Sequence, residues 1–294
     1  TDIDMHLFFE RGIRGGISTV CATRVSRAKI EILPDGTEER TQLMYLDANN
    51  LYGFAMCQPL PYSGFQWFTI KNADGSEMSD AEKIDEVKRM IREPVEGIGH
   101  TYEVNLHYPK ELHDKFNSYP PAPEAKLIKL DRMSKYQKQL AAKLNTNPEA
   151  MKLMLTLDDK ERYVVHHQTL KQLLHYGLEI TKVHRIVQYN ESAWLKSYID
   201  FNTELRKKAR NTFEKDFFKL MNNAVFGKTM ENLRNRMKIH LIADENKRKI
   251  CKLISSPQYI GHKIFDGGLV AINTRITKLK LNKPIYVGQA ILDL

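Results

Sequence analysis

Two short stretches hold the residues best suited to chemistry. The first, Tyr45-Leu46-Asp47-Ala48-Asn49-Asn50-Leu51-Tyr52-Gly53, sets one carboxylate after an apolar run and before a turn. A carboxylate at the C-terminal end of a strand, with a backbone carbonyl beside it, suits Mg²⁺. That ion keeps an incomplete protein shell and takes its other ligands from water and phosphate. Read alone, Asp47 serves equally well as the opener of an Asx turn. The second stretch is Lys219-Leu220-Met221-Asn222-Asn223-Ala224-Val225-Phe226-Gly227. At about 100° per residue, Lys215, Lys219, Asn223 and Phe226 share one stripe of a helix. Phe213, Phe217, Leu220, Met221, Ala224 and Val225 lie opposite and form the expected packing face. Lysines one turn apart can follow a triphosphate, each acting as a point charge. A solvated amphipathic face is the plainer reading of the same pattern.

The elements that must position these residues are legible in outline. Residues 41–46 (TQLMYL) read as a buried strand that stops at Asp47. A long helix is expected from about Thr203 to Phe226, with Gly227 as its stop. A helix is also expected over 160–177, ending at a glycine. Residues 101–106, 182–189, 238–243 and 269–276 read as strands. Pro34-Asp35-Gly36 is a turn, and 71–88 a polar loop leading into a surface helix. Ser118 to Pro123 is a proline-rich extended stretch, and Lys283-Pro284 introduces a last apolar segment. Near the start, Arg11-Gly12-Ile13-Arg14-Gly15-Gly16-Ile17-Ser18 carries adjacent glycines that let another backbone approach closely.

Composition narrows the field. The 294 residues are 42% hydrophobic and 28% charged, which excludes a disordered or fibrous chain and allows about two domains. Lys and Arg number 45 against 36 Asp and Glu, a net charge of +9. Residues 200–240 hold ten Lys/Arg and five Asp/Glu, so +5 of that +9 falls there. A polyanionic partner such as nucleic acid fits this balance. Three cysteines without CxxC spacing argue against a disulfide framework and a structural zinc site, and for a reducing compartment. His166, His167 and His184 find no third ligand at convincing spacing, and read as core or surface histidines. No apolar run is long enough to cross a membrane as a helix, and no secretory leader is visible, so compartment stays open. A first residue of Thr and a last segment that reads as mid-element suggest a piece of a longer chain.

Taken together and in this order, the two stretches resemble motifs A and B of the family B DNA polymerases. Asp47-x-x-Asn50-Leu51-Tyr52-Gly53 resembles the usual D-x-x-S-L-Y-P, with Asn for Ser and Gly for Pro. Lys219-x-x-x-Asn223-Ala224-Val225-Phe226-Gly227 resembles K-x-x-x-N-S-x-Y-G, with Ala for Ser and Phe for Tyr. Residues 11–18 and 216–232 resemble the protein-primed branch found in viruses, linear plasmids and self-synthesising transposons. The resemblance covers essentially the whole chain. It implies an α+β polymerase right hand: a partial palm whose antiparallel strands carry Asp47, helical fingers carrying Lys219, and inserted subdomains. Thumb and exonuclease domain are absent from these residues. The implied division is 1–34, a linker from the exonuclease side; 35–69, palm with motif A; and 70–190, an insertion resembling the terminal-protein-contact region. It continues with 191–232, fingers with motif B; 233–265, a second small insertion; and 266–294, the remainder of the palm.

The resemblance also implies roles. Two Mg²⁺ ions serve the full-length enzyme, one held by Asp47 with the Ala48 carbonyl assisting. Backbone N–H groups at Asn50 and Leu51 cradle the triphosphate of an incoming dNTP. Tyr52 clashes with a ribose 2′-hydroxyl and so selects deoxynucleotides. Lys219 neutralises the triphosphate, with one of Arg206, Lys207 or Lys208 as a second contact, Lys207 having the separation found in protein-primed relatives, so Asp47 and Lys219 are the catalytic pair. Asn223 and Phe226 border the nascent base pair. Arg14, Gly15 and Gly16 resemble part of a Y-x-G-G/A motif that touches template, with Ile13 in place of its Tyr. The implied function is deoxynucleotide addition to a primer 3′-hydroxyl on a DNA template, primed by a terminal protein in the full-length form, during replication of a virus or mobile element. No Y-x-D-T-D of motif C occurs, so the second metal-binding Asp is missing and these residues alone are expected to be inactive. The alternative is a catalytically dead remnant that acts as a DNA-binding module; a reverse transcriptase fits motif B less well.

Overall fold

The computed structural model describes residues 2–19, 27–72, 74–147, 149–243, 245–266 and 268–294. The chain opens with α1 (Ile3–Arg11), capped by the Asp2 carboxylate, which accepts the N–H groups of Asp4 and Met5. β1 (Ile30–Ile32) and β2 (Glu38–Arg40) form a hairpin around the expected Pro34-Asp35-Gly36 turn, with Gly36 at φ +81°. Extended chain leads to α2 (Leu51–Met56), β3 (Leu60–Phe68) and α3 (Asp80–Arg92). Ser79 and Glu82 close a capping box on α3, which stops the polar loop before it. Next come β4 (Ile98–His107), the short α4 (His113–Phe116), β5 (Glu124–Leu127), α5 (Lys135–Lys143) and β6 (Met151–Met154). They are followed by β7 (Lys160–His166), α6 (His167–His175) and β8 (Glu179–Ser192). Two helices, α7 (Lys196–Lys208) and α8 (Thr212–Thr229), lead to β9 (Met237–Ala243), α9 (Lys247–Ile254), β10 (Tyr259–Phe265) and β11 (Leu269–Arg275). α10 (Ile285–Asp293) comes last.

The central sheet runs β3-β8-β4-β7, antiparallel throughout. Side-chain alternation divides its faces. Tyr102, Val104, Leu106, Tyr163, Val165 and Ile186 face α3 and α6, whose Val87, Ile91, Leu170 and Leu173 complete the main core. Val164, Val187 and Tyr189 face the other way, against Phe8 and Phe9 of α1 and Ile285 of α10. α10 has a second apolar side: Val287, Ala290 and Ile291 pack with Ala55 and Met56 of α2 and Ile199 of α7. A three-stranded sheet of order β10-β11-β9 forms a separate small core with α9. β11, which follows residue 265, is hydrogen-bonded on both sides by strands that precede it. The β5–β6 hairpin is pinned by the buried Lys160 ammonium, which donates to Glu124 Oε1 (3.1 Å), Thr156 Oγ1 (2.7 Å) and the Thr156 carbonyl (3.0 Å). Cys57 and Cys251 are free thiols; Cys21 lies outside the described residues. Among the described residues no helix is long and apolar enough to cross a membrane.

One charge cluster crosses the sheet. The Glu103 carboxylate on β4 is wholly buried and meets Arg11 of α1 (3.1 Å), Arg162 of β7 (3.4 Å) and Arg185 of β8 (2.6 Å). Burial pushes its pKa up, but the three guanidinium groups outweigh burial and hold it below the usual carboxylate value.

Four expectations are corrected. Residues 41–46 form no strand, and Tyr45 is 94% exposed, so Asp47 stands outside every sheet. An apolar run becomes a buried strand only where a partner strand is available, and among the described residues the run is joined only at its start, where the Thr41 N–H donates to the Lys29 carbonyl at 3.0 Å. Residues 160–166 are strand, because Tyr163-Val164-Val165 is a β-branched and aromatic run; only 167–175 is helix. The long helix is broken at Ala209, where Asn211 starts a new helix by accepting the Glu214 N–H at 2.8 Å. Gly227 lies inside α8, and the Phe213 and Leu220 of the expected packing face are 77% and 62% exposed. Of that face only Met221 and Val225 are part-buried, and they pack together with Asn222, Phe226 and Thr229, a stripe set by where α7 and α10 lie. The helix at 3–11 was not anticipated, although Asp2 is a standard N-cap type.

The ion cluster yields a stability prediction. Glu103→Ala leaves three arginines facing a buried gap and lowers unfolding stability by about 3 kcal/mol, the low end for a broken buried pair because the guanidinium groups keep contact with water. A carboxylate whose pKa is lower folded than unfolded stabilises above its unfolded pKa, and that stability is lost as pH falls through the folded value. Urea midpoints should therefore drop on acidification below about pH 4.5, and drop less for Glu103→Gln. Equal pH slopes for the two proteins would contradict the assignment.

Candidate active site

Asp47 lies in the extended chain before α2, exposed, with no hydrogen bond or ion pair among the described residues. Ala48 beside it is exposed as well. The chain then turns at Asn50, which takes the left-handed conformation (φ 59°, ψ 43°) that asparagine tolerates better than most residues. The Asn50 carboxamide lies over Gly53, where a Cβ would collide with it. The two departures from the usual motif A are thus one adjustment: asparagine fits at 50 because glycine stands at 53.

Past this turn, α2 offers Leu51 and Tyr52 outward and buries Gly53, Ala55 and Met56. Tyr52 stacks on Phe226 of α8, ring centroids 4.4 Å apart and planes 22° from parallel. This contact joins the two motifs, which are separated by more than half the chain. Beneath it, Met56, Ile199, Val287 and Ile291 hold α2 on α7 and α10, with Val225 and Phe226 against the same cluster.

α8 is fixed to α7 by polar contacts. The Tyr198 hydroxyl donates to the Met221 carbonyl (3.2 Å), and Asn222 Nδ2 donates to Thr203 Oγ1 (3.4 Å). Asn222 is buried and its neighbour Asn223 exposed, so the asparagine doublet divides between support and surface. Neither Tyr198 nor Asn222 figures in the motif reading; the doublet itself is the signal, since only one of two adjacent helical residues can face α7. Lys215 and Lys219 are exposed and form no ion pair among the described residues. Lys207 near the end of α7 is paired with Glu204 at 2.7 Å, and that hydrogen bond raises its pKa.

The expected template residues lie elsewhere. Arg14 follows α1 and is engaged by β7: its guanidinium sits 3.6 Å from the centre of the Tyr163 ring and donates to the Val164 carbonyl at 2.6 Å. Gly15 and Gly16 stand in open space. The structure therefore brings Asn50, Leu51, Tyr52 and Phe226 together, sets Asp47 and Ala48 on the loop that leads to them, and leaves Lys219 and Asn223 on the exposed side of the same helix. Arg14 serves the fold through β7.

In fold, this mixed arrangement of helices and antiparallel sheets is similar to part of a DNA polymerase. Phi29 DNA polymerase complexed with primer-template DNA matches over 100% of this chain at 12% identity, with a TM-score of 0.50. The chain spans 38% of that protein's length. The orthorhombic crystal form of the phi29 enzyme matches over 99% of the chain at 13% identity, with a TM-score of 0.48 and 39% of its own length covered. The model of the family "DNA polymerase type B, organellar and viral" matches residues 32–266, and the chain belongs to that family. No curated protein matches it.

The Tyr52–Phe226 contact can be measured. A double-mutant cycle with Tyr52→Ala and Phe226→Ala should return a coupling of about 1 kcal/mol in unfolding free energy, the usual worth of an offset aromatic pair. A coupling near zero would mean that the rings are not stacked in solution.

Proposed function

We propose that the chain is the nucleotide-binding part of a DNA-directed DNA polymerase. The observation that carries this reading is the Tyr52–Phe226 stack, which closes the motif A turn onto the motif B helix. In this reading 35–69 and the C-terminal segment are palm, and 191–232 is fingers. The small insertion after motif B runs on through β11, because that strand is paired within its sheet. Residues 70–190 form the larger insertion, where a terminal protein that primes synthesis would bind.

Each residue then has a defined task. The Leu51 and Tyr52 N–H groups open a helix, where backbone donors have no intrahelical partner. Together with the N–H of Asn50 they receive triphosphate oxygens. Tyr52, held flat by Phe226, fills the space beside C2′ of the sugar and excludes a ribose hydroxyl. Lys219 approaches the triphosphate from α8, and Lys207 can follow once it leaves Glu204, an exposed pair worth little to the fold. Asn223 and the Phe226 edge border the base. Asp47 and the Ala48 carbonyl are hard oxygen donors left free by the fold, a donor set that fits Mg²⁺. Bound there, Mg²⁺ would neutralise the triphosphate and the charge that develops as pyrophosphate leaves. Arg14 contributes to template binding only through the backbone it positions at Gly15 and Gly16.

Binding of dATP in the presence of Mg²⁺, followed by calorimetry, tests this assignment. Lys219→Ala should weaken binding about tenfold, equivalent to about 1.4 kcal/mol, and Asp47→Asn should remove its dependence on Mg²⁺. Tyr52→Val should narrow the preference for dATP over ATP. Retained DNA binding with no response to nucleotide would instead favour a module that only holds DNA.

A further inference from the structure

At one end of the central sheet, three side chains converge that the nucleotide site does not use. His166 closes β7, His167 opens α6, and Glu191 lies near the end of β8. One ligand-capable atom from each lies within 4.8 Å of the other two, and His167 Nε2 is 3.7 Å from Glu191 Oε1. His166 is fully buried, and its Nε2 has no hydrogen-bond partner among the described residues; Glu191 Oε2 is buried and likewise without one. Buried polar atoms in native folds are almost always satisfied, so two orphans in one cluster require an explanation.

Gly99 of β4 makes the room for this cluster. A Cβ there would stand 2.9 Å from Glu191 Cδ and would also meet the Tyr189 ring. The Gly99 backbone is not left-handed, so the missing side chain answers to its neighbours and not to φ. Glycine at this position leaves space for the carboxylate beside the two imidazoles.

We propose that His166, His167 and Glu191 bind one divalent ion of the zinc class, which ties the β7–α6 junction to the end of β8. Two imidazoles and a carboxylate form a borderline-soft donor set that suits Zn²⁺ and its late first-row neighbours, and suits Mg²⁺ or Ca²⁺ poorly. A fourth position is left to water. Zinc bonds of about 2.0–2.1 Å in a tetrahedron hold ligands about 3.4 Å apart, so side-chain rotations of an ångström or so close the site.

The surroundings prepare the ligands. His167 Nδ1 lies 3.3 Å from the His100 carbonyl oxygen and 3.4 Å from the His100 N–H; in the tautomer that donates to the carbonyl, the Nε2 lone pair is left for the metal. On His166 the rival contact is a long one, the Gln168 N–H at 3.4 Å from Nδ1. Burial lowers the pKa of His100, His166 and His167, the last to about 4, so the imidazoles are neutral and their lone pairs free. Burial also pushes Glu191 up to about 7, and a cation beside it favours the ionised form.

The test uses the whole chain, stripped with a chelator and titrated with Zn²⁺ alone. One ion per chain, with a rise in Tm, is expected from the wild type. Co²⁺ in its place should give the visible bands of a tetrahedral nitrogen–oxygen site without a thiolate charge-transfer band, which separates this site from the cysteines. Glu191→Gln and His167→Ala should weaken binding at least tenfold, and Gly99→Ala about tenfold by displacing the carboxylate. Asp47→Asn should leave uptake unchanged, which keeps this result separate from the nucleotide site. Near-ultraviolet circular dichroism confirms that each variant is folded, and the near-isosteric Glu191→Gln carries the decision if the others are not. A wild type that takes up no zinc and gains no Tm would overturn the proposal and leave a bridging water between His166 and Glu191. Full affinity in folded Glu191→Gln would overturn it equally.

Discussion

The Glu103 carboxylate is the constraint on which the central sheet depends. Among the described residues it is the one wholly buried anion on the face that α1 covers, and its three arginine partners come from α1, β7 and β8. A carboxylate there is tolerable only while all three are in place, so helix position and strand register are specified together. A one-residue slip of β4 would turn Glu103 into the apolar core beside α3 and α6 and expose Val104 to the arginines. Apolar packing supplies most of the cohesion of such a sheet, but it distinguishes poorly between neighbouring registers. The ion cluster distinguishes them sharply.

From that sheet the structure reaches the motif A turn through α10. One side of this helix closes the Glu103 face with α1, and the other supports α2 and lies near α8. The motif A turn and the motif B helix therefore share a floor without being adjacent in sequence. Among the described residues their one direct aromatic contact is Tyr52 on Phe226. Phenylalanine in place of the usual tyrosine keeps the stacking area and gives up a hydroxyl, which suits a residue whose work here is to hold another ring. In the same way, asparagine at 50 is matched by glycine at 53. The departures from the family pattern are local and compensated.

Much of this was legible in the sequence, and the exceptions have physical causes. The strand readings at 101–106, 182–189 and 238–243 fall within β4, β8 and β9, and Tyr52 and Phe226, which stack, lie in the two stretches that the sequence singles out. Tertiary context decided the rest. TQLMYL has the composition of a buried strand, but burial is a property of a partner surface that composition does not report. The face of α8 that packs is set by α7 and α10, and the apolar stripe of a helical wheel overlaps it only at Met221 and Val225. His166 and His167 were visible as a pair, yet Glu191 joins them only because β8 runs antiparallel through β4 and returns to the same end of the sheet. Arg14 is engaged by Tyr163 and Val164, about 150 residues away, a contact beyond the reach of any local pattern.

The position of α10 also bears on synthesis. Ribosomes release the chain from its N-terminus, and the four strands of the central sheet are complete by Ser192. α1 can cover part of the Glu103 face from the outset. The remainder, together with the underside of α2, stays bare until residues 285–293 emerge. For the interval in which roughly ninety residues are added, at about 5–20 residues per second, the nascent sheet exposes Val164, Val187 and Tyr189 to whatever binds apolar surface. Formation of the motif A–motif B contact is thereby deferred until residues 285–293 have emerged, and until then the underside of α2 has no floor to pack on.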